Sequence, residues 1–203
     1  MDRFLLRRTV GVALAAVIAL TLSACSAAPW EEANAESTAT ATPRPTSTAI
    51  TTVVNELATG STKHTLAAGS IGLSVDYYST LSMDKWTADA DKPLSISMIS
   101  TLVNDEGQAV YLSNMTVLVA VYDSEGKLQS PPELADRAIV TPGYLVKTPY
   151  SYSQTFMLPA VDENATYVQL SLTYELLLQT TPTSTQYAKQ TASDTLTIAI
   201  AQP

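Results

Sequence analysis

The sequence predicts an all-β domain built as an antiparallel β-sandwich, and three observations support this. Thr, Ser, Val and Tyr are abundant while charged residues make up only 15% of the chain, a composition that favours strands over surface helices. Between residues 71 and 200, apolar residues alternate with polar ones instead of recurring three and four positions apart. Pro, Gly, Asn and Asp separate the alternating segments, as the turns between short strands require.

Seven segments of the chain carry this alternation, and we expect each to form a strand. The longest, 168–178, contains good helix formers, but its apolar residues fall at every second position, which indicates a strand. Segment 115–121 is apolar on both faces and is therefore expected to be central in its sheet. Met98 and Met115 lie on apolar strand faces and are expected to fill the core. The other predicted strands are 71–77, 94–102, 138–141, 150–158 and 196–200.

The first 24 residues have the features of an export signal. Three arginines lie among residues 1–8, and an uncharged, mostly apolar run follows over 10–22. This run fits the core of a signal peptide and falls short of the roughly 20 residues that a membrane-spanning helix needs. It leads into one aliphatic residue, two small residues and a cysteine: Leu22, Ser23, Ala24 and Cys25.

These four residues resemble the lipobox of bacterial lipoproteins. The resemblance implies that a dedicated peptidase cleaves before Cys25 and that the Cys25 sulfur carries a diacylglyceryl group. Cys25 is the only cysteine, so the sequence offers no intramolecular disulfide. Because two acyl chains hold a protein stably at a bilayer, we expect the chain to be anchored on the extracytoplasmic face of the cell membrane.

The remaining chain divides into a tether and a domain. Segment 37–52 is almost entirely Thr, Ala, Ser and Pro, a composition that cannot bury enough apolar surface to offset its ordering entropy. We therefore expect a signal peptide over 1–24, a flexible tether over 25–66 and the β-sandwich over 67–203. His64, the only histidine, falls at the end of the tether in this division.

The order of the predicted strands is similar to that of the immunoglobulin-like sandwich. An early edge strand and a long strand are followed by a central strand, a short crossover, two long strands and a last edge strand. The turn at Pro142-Gly143, followed by an aromatic-containing strand and a long alternating strand, resembles the domain of many bacterial extracytoplasmic lipoproteins. The resemblance covers roughly residues 70–201 and implies a fold of about seven strands, without functional residues.

Charge and composition argue against several classes of function. The formal net charge of −8 repels nucleic acid, so we expect no nucleic-acid partner. A single histidine and a single cysteine leave no framework for a nucleophile–base pair or a histidine-based zinc centre. We expect no catalytic residues, no metal ligands and no cofactor, and hence a protein that is not an enzyme.

Aromatic residues supply the remaining clue to function. Tyr78, Trp86, Tyr144 and Tyr150 lie in or beside predicted loops, and exposed Tyr and Trp are enriched at recognition surfaces. The leading hypothesis is a non-enzymatic module that binds a protein partner or an envelope component such as the cell wall. The alternative is a lipoprotein that binds a small ligand or a metal ion. In that case the acidic loops 84–92 and 104–107 would hold Ca²⁺, or methionine sulfurs would hold Cu.

Overall fold

The computed structural model describes residues 53–202. The predicted signal peptide, the lipobox with Cys25, and the tether up to residue 52 lie outside the described residues. The described part of the chain forms nine strands and one short 3-10 helix (Met83–Lys85). In chain order the strands are β1 (Ser61–Ala68), β2 (Ile71–Tyr78), β3 (Lys92–Leu102), β4 (Val110–Tyr122), β5 (Leu134–Arg137), β6 (Tyr144–Leu145), β7 (Tyr152–Leu158), β8 (Tyr167–Gln179) and β9 (Tyr187–Ala199).

The strands form two antiparallel sheets packed against each other, so the predicted β-sandwich is confirmed. The first sheet has the strand order β1-β2-β3-β7, and the second has β5-β4-β8-β9, with the short β6 also paired to β4. If β1 and the short β6 are set aside, seven strands remain. Of these, β2, β3 and β7 lie in the first sheet, and β4, β5, β8 and β9 lie in the second. This switching of the chain between the two sheets is expected of an immunoglobulin-like sandwich.

The core lies between the sheets and follows the alternation in the sequence. In β8 every second residue points inward, from Val168 to Leu176, and all of these side chains are buried. Met98 of β3 and Met115 of β4 are almost completely buried, as predicted for residues that fill the core. Segment 115–121 is part of β4, which pairs with β8 on one side and β5 on the other, so its predicted central position is confirmed.

The predicted boundary between tether and domain, at residues 66 and 67, is wrong. Residues 61–68 form β1, which pairs with β2 in full register from Ser61 opposite Tyr78 to Ala68 opposite Ile71. Leu57 is completely buried in the core, and the backbone N–H of Glu56 donates to the Thr197 carbonyl. The ordered domain therefore includes at least residues 56–66, because their side chains and backbone are already part of the sandwich.

Two predicted strands also differ from the observed ones. Segment 138–141 is not a strand. The neighbouring β5 lies at Leu134–Arg137, and Ile139 beyond it is 90% exposed. The last strand begins at Tyr187 instead of residue 196. Both errors have one physical reason: polar residues interrupt the inward apolar positions, Asp136 in β5 and Gln190 and Asp194 in the first half of β9, so the apolar alternation that marks a strand is lost there.

One side of the sandwich is closed by the connection between β5 and β7. The Val146 N–H donates to the Val110 carbonyl of the second sheet, and the Val146 carbonyl accepts from Ser100 of the first sheet. Gly143 permits this course, because a Cβ on it would lie 2.5 Å from the Leu112 carbonyl oxygen. Tyr144 and Tyr150 lie on this connection, before and after Val146 in the sequence.

Candidate functional site

The structure separates the four aromatic residues that the sequence suggested for recognition. Trp86 is completely buried, so its predicted place among exposed aromatic residues is wrong. Its indole N–H donates to Ser79 Oγ at 2.9 Å, which satisfies the polar group of a buried tryptophan. Tyr78 is 37% exposed at the end of β2, opposite Ser95 of β3.

Tyr144 and Tyr150 lie on the side that the β5–β7 connection closes. The Tyr144 ring stacks on that of Tyr152, with centroids 5.9 Å apart and planes 27° apart. Tyr150 is 57% exposed, and its backbone N–H donates to the Lys147 carbonyl. The structure therefore brings these two predicted residues to the same side of the sandwich.

On this side of the sandwich, a hydrogen bond joins the two sheets. The Tyr152 hydroxyl of β7 donates to Asp136 Oδ2 of β5 at 2.6 Å, so the edge strands of the two sheets are joined by a side-chain contact. Burial, reinforced by the hydrogen bond to Asp136, raises the pKa of Tyr152 well above its ordinary value. The hydroxyl therefore stays protonated and keeps donating at neutral pH.

A shallow depression of about 320 Å³ opens beside this contact. Its walls consist of two aromatic rings, one carboxylate, one amide and two serine hydroxyls. The lining residues are Asp136, Tyr144, Ser151, Tyr152, Ser153 and Gln154. Asp136 and Gln154 could not be singled out from the sequence, since only the fold brings the β5 edge next to the β7 edge.

Exposed apolar side chains are concentrated along the same stretch of chain. Of the large hydrophobic residues that the described part of the chain exposes, half lie between residues 134 and 158: Ile139, Val140, Tyr150 and Met157. We call the exposed side chains of residues 134–158, which include all the residues that line the depression, the β5–β7 surface. Its combination of exposed apolar groups and convergent polar groups is typical of a recognition site.

A second cluster of polar residues lies at the opposite side, where β1 and β9 meet. His64 of β1 presents Nδ1 to Asp194 Oδ2 at 2.7 Å and Nε2 to Glu56 Oε1 at 3.3 Å. Of these two contacts, the one between Nδ1 and Asp194 is a hydrogen bond, in which the carboxylate accepts. His64 was expected at the end of the tether, but the structure places it on β1, at one edge of the sandwich, with 21% of its side chain exposed.

Two buried tyrosines continue this cluster into the core. The Tyr77 hydroxyl donates to Asp194 Oδ2 at 2.6 Å, and the Tyr77 and Tyr174 hydroxyls are 2.8 Å apart. Since Tyr77 gives its only proton to Asp194, Tyr174 must donate to Tyr77. Burial is the main reason that the pKa values of Tyr77 and Tyr174 are raised above the ordinary value.

The chemistry available to this β1–β9 cluster is limited by its own hydrogen bonds. Both ring nitrogens of His64 face carboxylates, so the ring is engaged with acidic groups and not with a nucleophile. Asp194 already accepts from His64 and Tyr77 through one oxygen and from the Thr195 backbone N–H through the other. The cluster therefore joins the edges of the two sheets and holds Glu56 and the segment around it against β9.

The acidic loops considered for Ca²⁺ make mainly local contacts. Asp89 accepts from the Thr87 hydroxyl, and Asp105 accepts from Lys147 Nζ and the Gly107 backbone. The Lys147 hydrogen bond lowers the pKa of Asp105. Among residues 53–202, no three His, Cys, Asp or Glu side chains are grouped so that they could hold a metal ion.

None of the helical structure in the described residues is long and apolar enough to cross a membrane. Comparison of the chain with protein-family models and with curated protein sequences gives no match.

Proposed function

We propose that this protein is a lipid-anchored, extracytoplasmic, non-enzymatic module that binds an envelope component or a protein partner through its β5–β7 surface. The observation that carries the proposal is the grouping of exposed apolar side chains and a polar, aromatic depression on one stretch, residues 134–158. Scattered single exposed apolar residues need no explanation, but four of them on the stretch of chain that also lines a concave site favour recognition.

The anchor is supported by the sequence alone. A basic start, an apolar run too short to span a bilayer, and Leu22-Ser23-Ala24-Cys25 follow one another at the only cysteine. The diacylglyceryl group on Cys25 would hold the protein at the membrane, and the segment after it would give the domain reach into the envelope. The alternative, binding of Ca²⁺, has no comparable grouping of carboxylate ligands among residues 53–202 to support it, and for Cu the sulfurs of Met98 and Met115 belong to side chains buried in the core.

The anchor is tested with Cys25→Ser in cells supplied with labelled palmitate. We expect the wild type to incorporate label and to sediment with membranes, and the variant to do neither. The matched check is the thermal unfolding of both proteins, which should agree because residues 53–202 supply the strands and the core described for the sandwich. Retention of the variant in the membrane fraction would contradict the proposal.

The recognition surface is tested by co-sedimentation of the full-length chain with isolated cell envelopes. The variant Tyr150→Ser removes an aromatic residue that is 57% exposed on the β5–β7 surface, and Leu118→Ser removes an apolar residue that is 51% exposed on the outer face of the second sheet. We expect the bound fraction to fall at least about threefold for the first, as for a contact worth roughly 0.7 kcal/mol, and to be unchanged for the second. Equal binding by both variants would refute the assignment of the surface.

A further inference from the structure

We propose that the depression on the β5–β7 surface is a saccharide-binding subsite, and that its ligand is a neutral, hydroxyl-rich glycan chain. This inference rests on the proposed function, because it names the chemistry of the partner that the surface recognises. It is supported by the composition of the depression, by the polar groups there that have no protein partner in the described part of the chain, and by the fixed position of the Tyr144 ring.

The lining residues match the surface of a sugar ring. A pyranose presents hydroxyl groups around its edge and C–H groups on its faces. The depression offers two tyrosine rings together with hydroxyl, amide and carboxylate groups. None of its lining residues is basic or aliphatic, so a phosphate-rich polymer would find no positive charge there and a lipid chain no aliphatic surface. The negative charge of the chain, −8, also disfavours a polyanion.

Several polar groups of the depression are free to bind a ligand. Asp136 accepts the Tyr152 hydroxyl through Oδ2, which leaves Oδ1 able to accept a ligand hydroxyl. In the described part of the chain, the Tyr144, Ser151 and Ser153 hydroxyls make no hydrogen bond to protein groups. A ligand would therefore replace only water at these positions and would not break a contact of the fold.

The aromatic platform is held in place before a ligand arrives. Tyr144 stacks on Tyr152, which is only 6% exposed and is fixed by its hydrogen bond to Asp136. The backbone of Tyr144 is also held, because it pairs with Leu112 of β4. Because the ring is already ordered, binding costs little side-chain entropy.

The size of the site indicates a subsite along a longer chain. Its volume of about 320 Å³ is at the lower end of the roughly 300–1,000 Å³ found for small-ligand sites. The exposed Tyr150 directly precedes Ser151 of the lining, so a chain that leaves the depression in that direction would meet a further aromatic ring outside it. We therefore expect tighter binding of oligosaccharides than of the corresponding monosaccharides.

The test uses the full-length chain, kept in a detergent without a sugar headgroup. Cellotetraose, maltotetraose and chitotetraose serve as neutral probes and heparin as the polyanion. Binding is measured by saturation-transfer NMR and calorimetry. We expect at least one tetrasaccharide to bind more tightly than its monosaccharide, and heparin not to bind. Tyr144→Ala should weaken binding about tenfold through loss of the ring, and Gln154→Ala, at an exposed position, about threefold.

The control variant is Tyr122→Ala, which removes one ring of the stacked pair Tyr122–Tyr167 on the second sheet. It should leave saccharide affinity unchanged, and thermal unfolding confirms that each variant is folded. If Tyr144→Ala does not fold, Gln154→Ala alone decides the outcome. Absence of tetrasaccharide binding, or binding that neither lining variant weakens, would overturn the saccharide inference. Envelope co-sedimentation that still depends on Tyr150 would then show that the recognition surface is real and its ligand is of another class.

Discussion

Removal of the Asp194 carboxylate should destabilise the domain far more than removal of an exposed carboxylate. Asp194 accepts from Tyr77, which is completely buried, and from His64, whose side chain is 21% exposed. The hydrogen bond from Tyr77 to this charged group contributes about 1.5–3 kcal/mol, and the more exposed hydrogen bond with His64 adds roughly 0.5–1 kcal/mol. Asp194→Ala should therefore lower the free energy of unfolding by about 3 kcal/mol.

The matched control is Asp76→Ala, which removes a carboxylate paired with Lys63 at the surface. These two side chains are 47% and 61% exposed, so the loss should be about 0.5 kcal/mol or less. Urea unfolding followed by circular dichroism gives both values. Asp194→Asn, which keeps an oxygen for Tyr77 but no charge, should fall between them. A loss in Asp194→Ala within about 0.5 kcal/mol of the control would refute the stabilising role of this cluster.

Three further predictions concern other parts of the sandwich. Leu57→Ala should lower the free energy of unfolding by about 2–5 kcal/mol because it leaves a cavity in the core. The control Val54→Ala, at a side chain that is 71% exposed, should change it by less than about 0.5 kcal/mol. Similar values for the two variants in urea unfolding would restore the tether boundary at residue 66. Lys92 is buried and its Nζ donates to the Thr87, Ala88 and Ala90 carbonyls, so Lys92→Met should cost about 2 kcal/mol by leaving carbonyls without a donor. Lys85→Met, at an exposed lysine, should cost almost nothing in the same urea unfolding assay, and equal costs would contradict the role of Lys92. The raised pKa values of Tyr77, Tyr152 and Tyr174 mean that the folded state favours their neutral forms, so this stabilisation is complete below about pH 10 and is lost as the pH rises above it. Tyrosinate absorbance from these three residues should appear only together with loss of the β-sheet signal in an alkaline titration, and ionisation of all ten tyrosines in a folded domain would contradict it.

The sandwich could be predicted from the sequence wherever the inward face is apolar. In β8 the alternation is continuous from Val168 to Leu176, and the predicted strand 168–178 nearly coincides with the observed one. In β4 a register shift between Leu112 and Asn114 interrupts the alternation, so the predicted strand 115–121 covers only the part after it. In β1 the inward residues include Thr62 and His64, and in β9 they include Gln190 and Asp194. Such positions carry no apolar signal, because their burial depends on partners far away in sequence. His64 and Asp194 are 130 residues apart, and only the fold brings them together.

The same limitation applies to the candidate site. Tyr144 and Tyr150 could be singled out because aromatic residues near loops are recognisable in a sequence. Asp136 could not, since its importance comes from the hydrogen bond that it accepts from the Tyr152 hydroxyl, which joins the edge strands of the two sheets. Trp86 was misplaced for the converse reason: a loop position suggests exposure, but Ser79 Oγ supplies a partner that allows the indole to be buried.

The most direct test of the central claim is site-specific photo-cross-linking on intact cells that produce the lipidated chain. A photoreactive amino acid is placed at position 150, on the β5–β7 surface, or at position 118, which has similar exposure on the outer face of the second sheet. The proposed function predicts a discrete cross-linked envelope species from position 150 that is absent from position 118 and is reduced by Tyr144→Ala. Equal cross-linking from both positions, or none from position 150, would contradict recognition through this surface.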